Sequence, residues 1–187
     1  MHFKTIIHLL SGGLDSVTML YDLHGQGHKV HCLLCDYQQK HVQELQFAKL
    51  HCHRLKLMFT TMTLPAFGGL TDESWIVPNR NAIMLSLAVN LAVRAGANTV
   101  TIGCNSDDAD AFPDCRPDFI GAFKKMIGEA GLSVEVCAPY LFRPKSWIAN
   151  LAREIGVPTN EIWTCYRGGL EPCGTCPACV KLKAAMP

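Results

Sequence analysis

Short apolar segments alternate along the chain with longer stretches whose apolar positions recur at helical spacing. "TIIHLL" (5–10), "KVHCLLCDY" (29–37), "LMFTTMTL" (57–64), "NTVTIG" (98–103) and "SVEVCAP" (133–139) are brief and partly β-branched. Strands covered on both faces read this way. Helical patterns fall between them, at about 15–25, 40–54, 80–95, 115–130 and 144–155, the last closed by Gly156 with Pro158 beyond. Strand and helix taking turns predicts an α/β fold: a mostly parallel five-stranded sheet with helices on both faces. Loops 65–79 and 104–114 are the two longer connections, and both follow predicted strands.

In such a sheet ligands bind beyond the carboxyl ends of the strands. The turn at 11–15, "CDYQQKH" (35–41), loop 65–81 and loop 104–116 are therefore expected to converge on one cleft.

The most apolar run, Ala82–Val93, is 12 residues long, interrupted by Ser86 and Asn90. A bilayer needs about 20, so this run predicts a buried helix and no membrane span. At 187 residues and 49% apolar, the chain suits one domain, 1–187, with a full core. A formal net charge of +1 gives no general footprint for nucleic acid. The N-terminal stretch has no basic segment followed by a signal-length apolar core, so a cytoplasmic location with reduced thiols is expected. On that basis Cys32, Cys35, Cys52, Cys104, Cys115 and Cys137 read as small core residues. "HCH" at 51–53 does not read as a metal site, because i and i+2 on a helix point to different faces.

Two stretches remain. In "HLLSGGLDSVTML", Gly12 and Gly13 free the backbone between a strand and a helix and let its N–H groups approach a ligand closely. The helix N-terminus adds a positive partial charge, which makes an anion site. Neither a lysine-bearing phosphate loop nor G-x-G-x-x-G is present; a plain strand-to-helix turn is the alternative. Near the C-terminus Cys165, Cys173, Cys176 and Cys179 form C-x7-C-x2-C-x2-C, interleaved with Gly and Pro. This suits a structural zinc (Zn²⁺) segment with four thiolate ligands over 163–180, with an iron–sulfur cluster as the competitor. Such a segment would pin the C-terminal region against the cleft.

The Ser-Gly-Gly-x-Asp-Ser turn resembles the pyrophosphate loop (PP-loop) of the ATP pyrophosphatase superfamily, whose members cleave ATP between its α and β phosphates and adenylate a carboxylate or carbonyl. Joined to the Cys-Tyr-Arg-Gly-Gly…Cys-Gly-x-Cys-x-x-Cys tail, it resembles the 7-cyano-7-deazaguanine synthase family. "DYQQKH" (36–41), "VPNRN" (77–81), "FPDCRPDF" (112–119), and "AP" (138–139) followed by Lys145 fit the same family, so the resemblance runs along nearly the whole chain. It implies a PP-loop fold and conversion of 7-carboxy-7-deazaguanine, ammonia and ATP to the nitrile through adenylate and amide intermediates. It further implies that Ser11, Gly12, Gly13, Asp15 and Ser16 hold the ATP phosphates with Mg²⁺, and that Arg80 and Asn81 contact nucleotide or deazaguanine. Asp108, Asp114 and Arg116 become candidates for the deazapurine; Asp15, Arg116 and Lys145 become candidates for the catalytic charge work. Asp114 has an alternative reading as an N-cap on the following helix. Cys115 is not needed as a nucleophile. No direct nucleic-acid partner is implied, and a homodimer is left open.

The chain departs from the family pattern in four ways. Gln38 and Asn79 stand where the family has glycine, which predicts altered backbone geometry beside the nucleotide. Asp110 and Ala111 replace a small Ser-Gly pair. The segment at about 64–76 is short, and the chain ends at Pro187, soon after Cys179. These departures leave an amide-only synthase as the second reading; a tRNA-thiolating PP-loop enzyme, in which the cysteines would carry sulfur or an iron–sulfur cluster, stays open as the third.

Overall fold

A computed structural model describes residues 3–65 and 75–186. The loop expected at 65–79 and the shortened segment at 64–76 fall largely outside the described residues. The rest forms five strands: β1 (Thr5–Leu9), β2 (Lys29–Asp36), β3 (Met58–Thr63), β4 (Thr99–Thr101) and β5 (Glu135–Cys137). They lie in the order β3-β2-β1-β4-β5, every neighbouring pair parallel. Six helices accompany them: α1 (Leu14–Gly25), α2 (Glu44–Arg54), α3 (Arg80–Ala95), α4 (Pro117–Glu129), α5 (Lys145–Glu154) and α6 (Pro177–Ala185).

Alternation of side chains across the strands divides the core in two. Ile6, Cys32 and Leu34 pack against α1, α2, α5 and α6 on one face. Ile7, Leu33, Val100 and Val136 pack against α3 and α4 on the other. Both layers are apolar because a parallel sheet is covered twice. The centre of the sheet is almost wholly closed to solvent, and His8 on β1 is buried with it. One His8 ring nitrogen bonds the Ser16 carbonyl at 2.9 Å and the other bonds Thr101 Oγ1 at 2.8 Å. Burial holds this imidazole neutral, its pKa lowered to about 4. It ties β1, β4 and the first turn of α1 together.

The outermost strand β3 is the exception to full coverage. Its residues are intermediate or exposed throughout, and Met58 is 69% exposed. α3 is also less enclosed than its apolar sequence predicts. Leu85, Ala88, Val89 and Ala92 form the stripe turned to the sheet, while Val93 is half exposed. Helix α2 begins at Glu44 rather than about residue 40, because 37–43 form a turn held by side chains. Tyr37 N donates to Gln39 Oε1 at 3.0 Å, and Gln38 N to Asp36 Oδ1 at 3.0 Å. Among the described residues no helix is long and apolar enough to cross a membrane.

Gln38 and Asn79 stand at strained turns. Both have φ 59, the left-handed conformation a glycine would adopt. The strain is therefore borne by residues with a Cβ; asparagine tolerates this region better than glutamine. The left-handed conformation costs about 1–2 kcal/mol for an L-residue, partly offset by the greater entropy glycine loses on folding. Gln38→Gly is expected to raise the melting temperature by about 2 °C, and Asn79→Gly by less. Calorimetry showing no rise for Gln38→Gly would contradict a strained turn.

Candidate functional site

The sheet order reverses between β1 and β4, and the cleft opens there, beyond their carboxyl ends. β1 runs into Ser11–Gly13, and Gly13 is the N-cap of α1 with no side chain over it. The first N–H groups of α1 thus face the cleft without a side-chain acceptor, as an anion site requires. Ser11 Oγ and Ser16 Oγ stand 3.0 Å apart, Ser16 Oγ donates to the Gly13 carbonyl at 3.2 Å, and Gly13 N donates to Ser11 Oγ at 3.3 Å. The two hydroxyls brace the loop. Gly12 has φ +95, and a Cβ there would fall on the Glu44 carbonyl, so only glycine fits. Its own carbonyl accepts from Trp163 N at 2.9 Å.

Asp15, in the first turn of α1, meets Lys145, the first residue of α5, with Nζ to Oδ2 at 2.9 Å. Asn105 Nδ2 donates to the same Asp15 oxygen at 3.0 Å and to Asp108 Oδ2 at 2.7 Å. Lys181 Nζ on α6 donates to Asp108 Oδ1 at 2.9 Å and to the Asp107 carbonyl at 2.8 Å. Burial pushes the Asp15 carboxyl above the usual range, further than Lys145 pulls it down. Burial is also the largest influence on Lys145, downward, but Asp15 and Asp108 together more than reverse it. Asp15 Oδ1 is buried with no hydrogen-bond partner. A buried carboxylate oxygen left open beside an anion loop fits a cation or a bound donor.

A second wall comes from β2, α2 and α3. Tyr37, His41, Glu44 and Arg80 line it, with Tyr166 opposite. Glu44 Oε1 accepts from Gln39 Nε2 at 2.9 Å and stands 3.6 Å from His41 Nε2. Burial raises the Glu44 carboxyl to about 7 and, with help from Arg80, lowers His41 to about 4. Burial acts to lower the Arg80 pKa, but Tyr37 and Tyr166 hold the guanidinium above its ordinary value. Tyr166 stacks on Trp75, centroids 5.9 Å apart, and the two border a small side recess with Tyr37 and Arg80.

The candidate residues are thus divided. Ser11, Gly13, Asp15, Ser16, Arg80, Asn81, Asp108 and Lys145 line the cleft; Gly12 shapes it from behind. Asp114 and Arg116 do not form its wall among the described residues. Asp114 Oδ2 caps α3, accepting from Asn81 N at 3.0 Å, rather than capping the helix that follows it. Asn81 Nδ2 returns the contact to the Asp114 carbonyl at 3.1 Å. Arg116 is exposed, and its Nε donates to the Ala109 carbonyl at 2.8 Å. Cys115 is buried against the Asn81 amide at 3.4 Å, as a core thiol. His51 spends its two nitrogens on Tyr21 and the Glu161 carbonyl, so "HCH" is structural.

Cys165, Cys173, Cys176 and Cys179 come together with their sulfurs all within 4.8 Å of one another. Tetrahedral zinc with bonds of about 2.3 Å sets sulfurs roughly 3.8 Å apart, so a small contraction would close the site. Cys176 is the N-cap of α6 and Cys179 lies in its first turn. The helix N-terminus there favours thiolates. N–H groups of Thr175 and Cys176 lower Cys173 to about 6, whereas burial raises Cys179 to about 12. Phe47 of α2 stacks on Trp163 at 5.7 Å, and Trp163 Nε1 donates to the Cys165 carbonyl at 2.9 Å. The segment is joined to the cleft by these contacts and by Trp163 N, which donates to the Gly12 carbonyl.

The Lys145→Ala variant tests the electrostatics. Losing one member of a buried pair costs about 3–5 kcal/mol. Asp15 already has a folded pKa above its unfolded one, so its burial is unfavourable only where it is ionised. Without Lys145 that pKa rises further. The loss of stability is therefore expected to be largest at about pH 8 and to shrink toward about pH 5. Adding Asp15→Asn should recover part of it at the higher pH. Urea unfolding that gives equal losses at both pH values would contradict this.

The family model described as "Queuosine biosynthesis protein QueC" matches residues 5–76 and 71–186. A 7-cyano-7-deazaguanine synthase of Caldicellulosiruptor bescii is 34% identical, across 92% of this chain and 88% of that protein. One of Rhizobium johnstonii is 36% identical, across 97% and 86%. Among solved structures, NMN synthetase from Francisella tularensis superposes with a TM-score of 0.61 at 17% identity, across 91% of this chain and 70% of that one. At that identity the likeness concerns the fold alone.

Proposed function

The chain belongs to the QueC family, and from that premise we propose that it converts 7-carboxy-7-deazaguanine and ammonia to 7-cyano-7-deazaguanine at the expense of ATP. A carboxylate is a poor electrophile because oxide is a poor leaving group. In the proposed reaction a substrate carboxylate oxygen attacks the α-phosphorus of ATP and pyrophosphate leaves. Ammonia displaces AMP from the acyl adenylate and gives the amide. The amide oxygen attacks a second ATP, and loss of AMP with two N–H protons leaves the nitrile.

The observation that best supports this reading is the uncapped Ser11–Gly13 loop beside the Asp15–Lys145 pair, with one Asp15 oxygen buried and open. Loop N–H groups and Lys145 would hold phosphate oxygens where negative charge grows. Asp15 Oδ1 would hold a magnesium ion, which supplies charge neutralisation at the phosphates. Arg80, with Asn81 beside it, would orient nucleotide or deazapurine at the second wall. Asp108, though held by Lys181 and Asn105, keeps lone pairs for a guanine-like edge; Asp114 and Arg116 would act on the substrate by shaping the loop that carries them. Such a mechanism consists of positioning and charge stabilisation, with no protein nucleophile.

The four cysteines would hold a structural zinc, since a full set of four thiolates leaves no open position. The purified protein is expected to be colourless with one zinc per chain by elemental analysis, and Cys176→Ser to lose the metal and melt lower. Absorbance at about 400 nm would instead indicate thiolate-bound iron and turn the reading to a tRNA-thiolating enzyme.

Mass spectrometry of products from Mg-ATP, ammonium and 7-carboxy-7-deazaguanine tests the reaction. The nitrile, AMP and pyrophosphate are expected, with activity lost by at least about 100-fold in Asp15→Ala. Amide as the sole end product would mean that the second activation is missing, and absence of turnover would refute the substrate.

A further inference from the structure

Behind the cleft wall, Asn105 is 0% exposed and lies between Asp15 and Asp108, two acids that the cleft displays. We propose that Asn105 is a positioning residue for the metal ion of the nucleotide: its amide, with Lys145, takes up Asp15 Oδ2 and leaves Oδ1 as the oxygen that binds the ion. The inference rests on the ATP-dependent reading above and concerns its nucleotide half alone.

The local chain dictates where this amide stands. Gly103 lets the segment after β4 lie against α1, since a Cβ there would come within 3.2 Å of Ser16 N. Asn105 then caps the short turn Ser106–Asp108, its Oδ1 accepting from Asp107 N at 2.9 Å and Asp108 N at 3.1 Å. Its Nδ2 is left to donate to Asp15 Oδ2 at 3.0 Å and to Asp108 Oδ2 at 2.7 Å. Two N–H donors and two acceptor sites are thereby all used. Only one orientation of the amide serves, because the backbone groups only donate and the carboxylates only accept. No other side chain of this size offers both without charge. A carboxylate at 105 would set three acids side by side, and an aliphatic group would leave two buried acids unbridged.

The bridge decides how Asp15 meets its lysine. Lys145 Nζ bonds Asp15 through Oδ2, at 2.9 Å, and the charge of Asp108 attracts the same ammonium. Released from Asn105, the Asp15 carboxylate would be free to turn and offer both oxygens to Lys145, which closes Oδ1 to a metal. The amide prevents this by fixing Oδ2 on the lysine side. Oδ1, buried and without a hydrogen-bond partner, is the result. The same turn also sets the lysine's backbone, since Asp107 Oδ2 accepts from Lys145 N at 2.9 Å. Asn105 thus governs both members of the Asp15–Lys145 pair and acts on the ion only through Asp15.

Binding of Mn²⁺ together with ATP, read from the electron paramagnetic resonance of the ion, tests this without turnover. Asn105→Ser keeps a good cap and adds no charge, but its hydroxyl is too short to bridge the acids. It is expected to fold as wild type does and to bind Mn²⁺ with ATP about 30-fold more weakly. Asn105→Ala removes the amide and leaves room for formamide, which is expected to restore most of the affinity. Formate accepts hydrogen bonds and has no N–H to donate, so it is expected to restore none. Wild-type affinity in Asn105→Ser would overturn the proposal, as would equal rescue by formate, which would reduce Asn105 to a cap. Wild-type protein that binds no Mn²⁺ with ATP would instead refute the nucleotide site, and binding without turnover of 7-carboxy-7-deazaguanine would refute only the substrate.

Discussion

No atom can be added to the α-carbon of Gly12. The Glu44 carbonyl at the start of α2 occupies the place of a side chain, and the Gly12 carbonyl is bonded to Trp163 N from the C-terminal segment. Three parts of the chain, remote in sequence, therefore share one residue of backbone. The glycine loop is positioned from outside, by α2 on one side and the cysteine-bearing segment on the other, as well as by its own hydroxyls. That mutual bracing fixes the loop while the α1 N-terminus carries no side-chain cap, the condition an anion site needs.

From this joint a hydrogen-bonded line of side chains runs across the cleft, with a lysine at each end and two aspartates bridged by an amide between them: Lys145, Asp15, Asn105, Asp108, Lys181. Each carboxylate is held by a cation and by the amide of Asn105, and only Asp15 Oδ1 is left over. Lys181 belongs to α6, so the helix that starts at the cysteine cluster reaches the charge network as well as the loop. The cysteine segment is thus coupled to the cleft twice, by Trp163 and by Lys181. Its order and that of the site are physically one matter.

Much of this was legible in the sequence, and the parts that were not share a cause. The strands were visible as short β-branched runs, and the structure trims them mainly at their ends, with β5 limited to Glu135–Cys137. The strand-to-helix turn was visible because Gly12 and Gly13 stand between an apolar strand and a helical pattern. Helix α6 was not, since its cysteines and prolines read as a metal loop and its apolar positions do not form a stripe. Asn105 and Lys181 gave no local signal either: their partners lie up to 90 residues away. Glu44 gave no local signal: its burial beside Arg80 arises only when α2 packs on the cleft. Asp114 has the residue type of a cap, but it caps a helix 33 residues earlier in the chain, a contact that spacing cannot show.

The sheet is finished differently at its two sides. β5 ends it with a three-residue strand, too short to template another. β3 ends it with six residues, several of them threonine, and its outer row of N–H and carbonyl groups has no neighbouring strand among the described residues. Such an edge can accept a further strand. Growth of the sheet, by ordered pairing between chains or by aggregation during refolding, thus has a preferred end at which to begin.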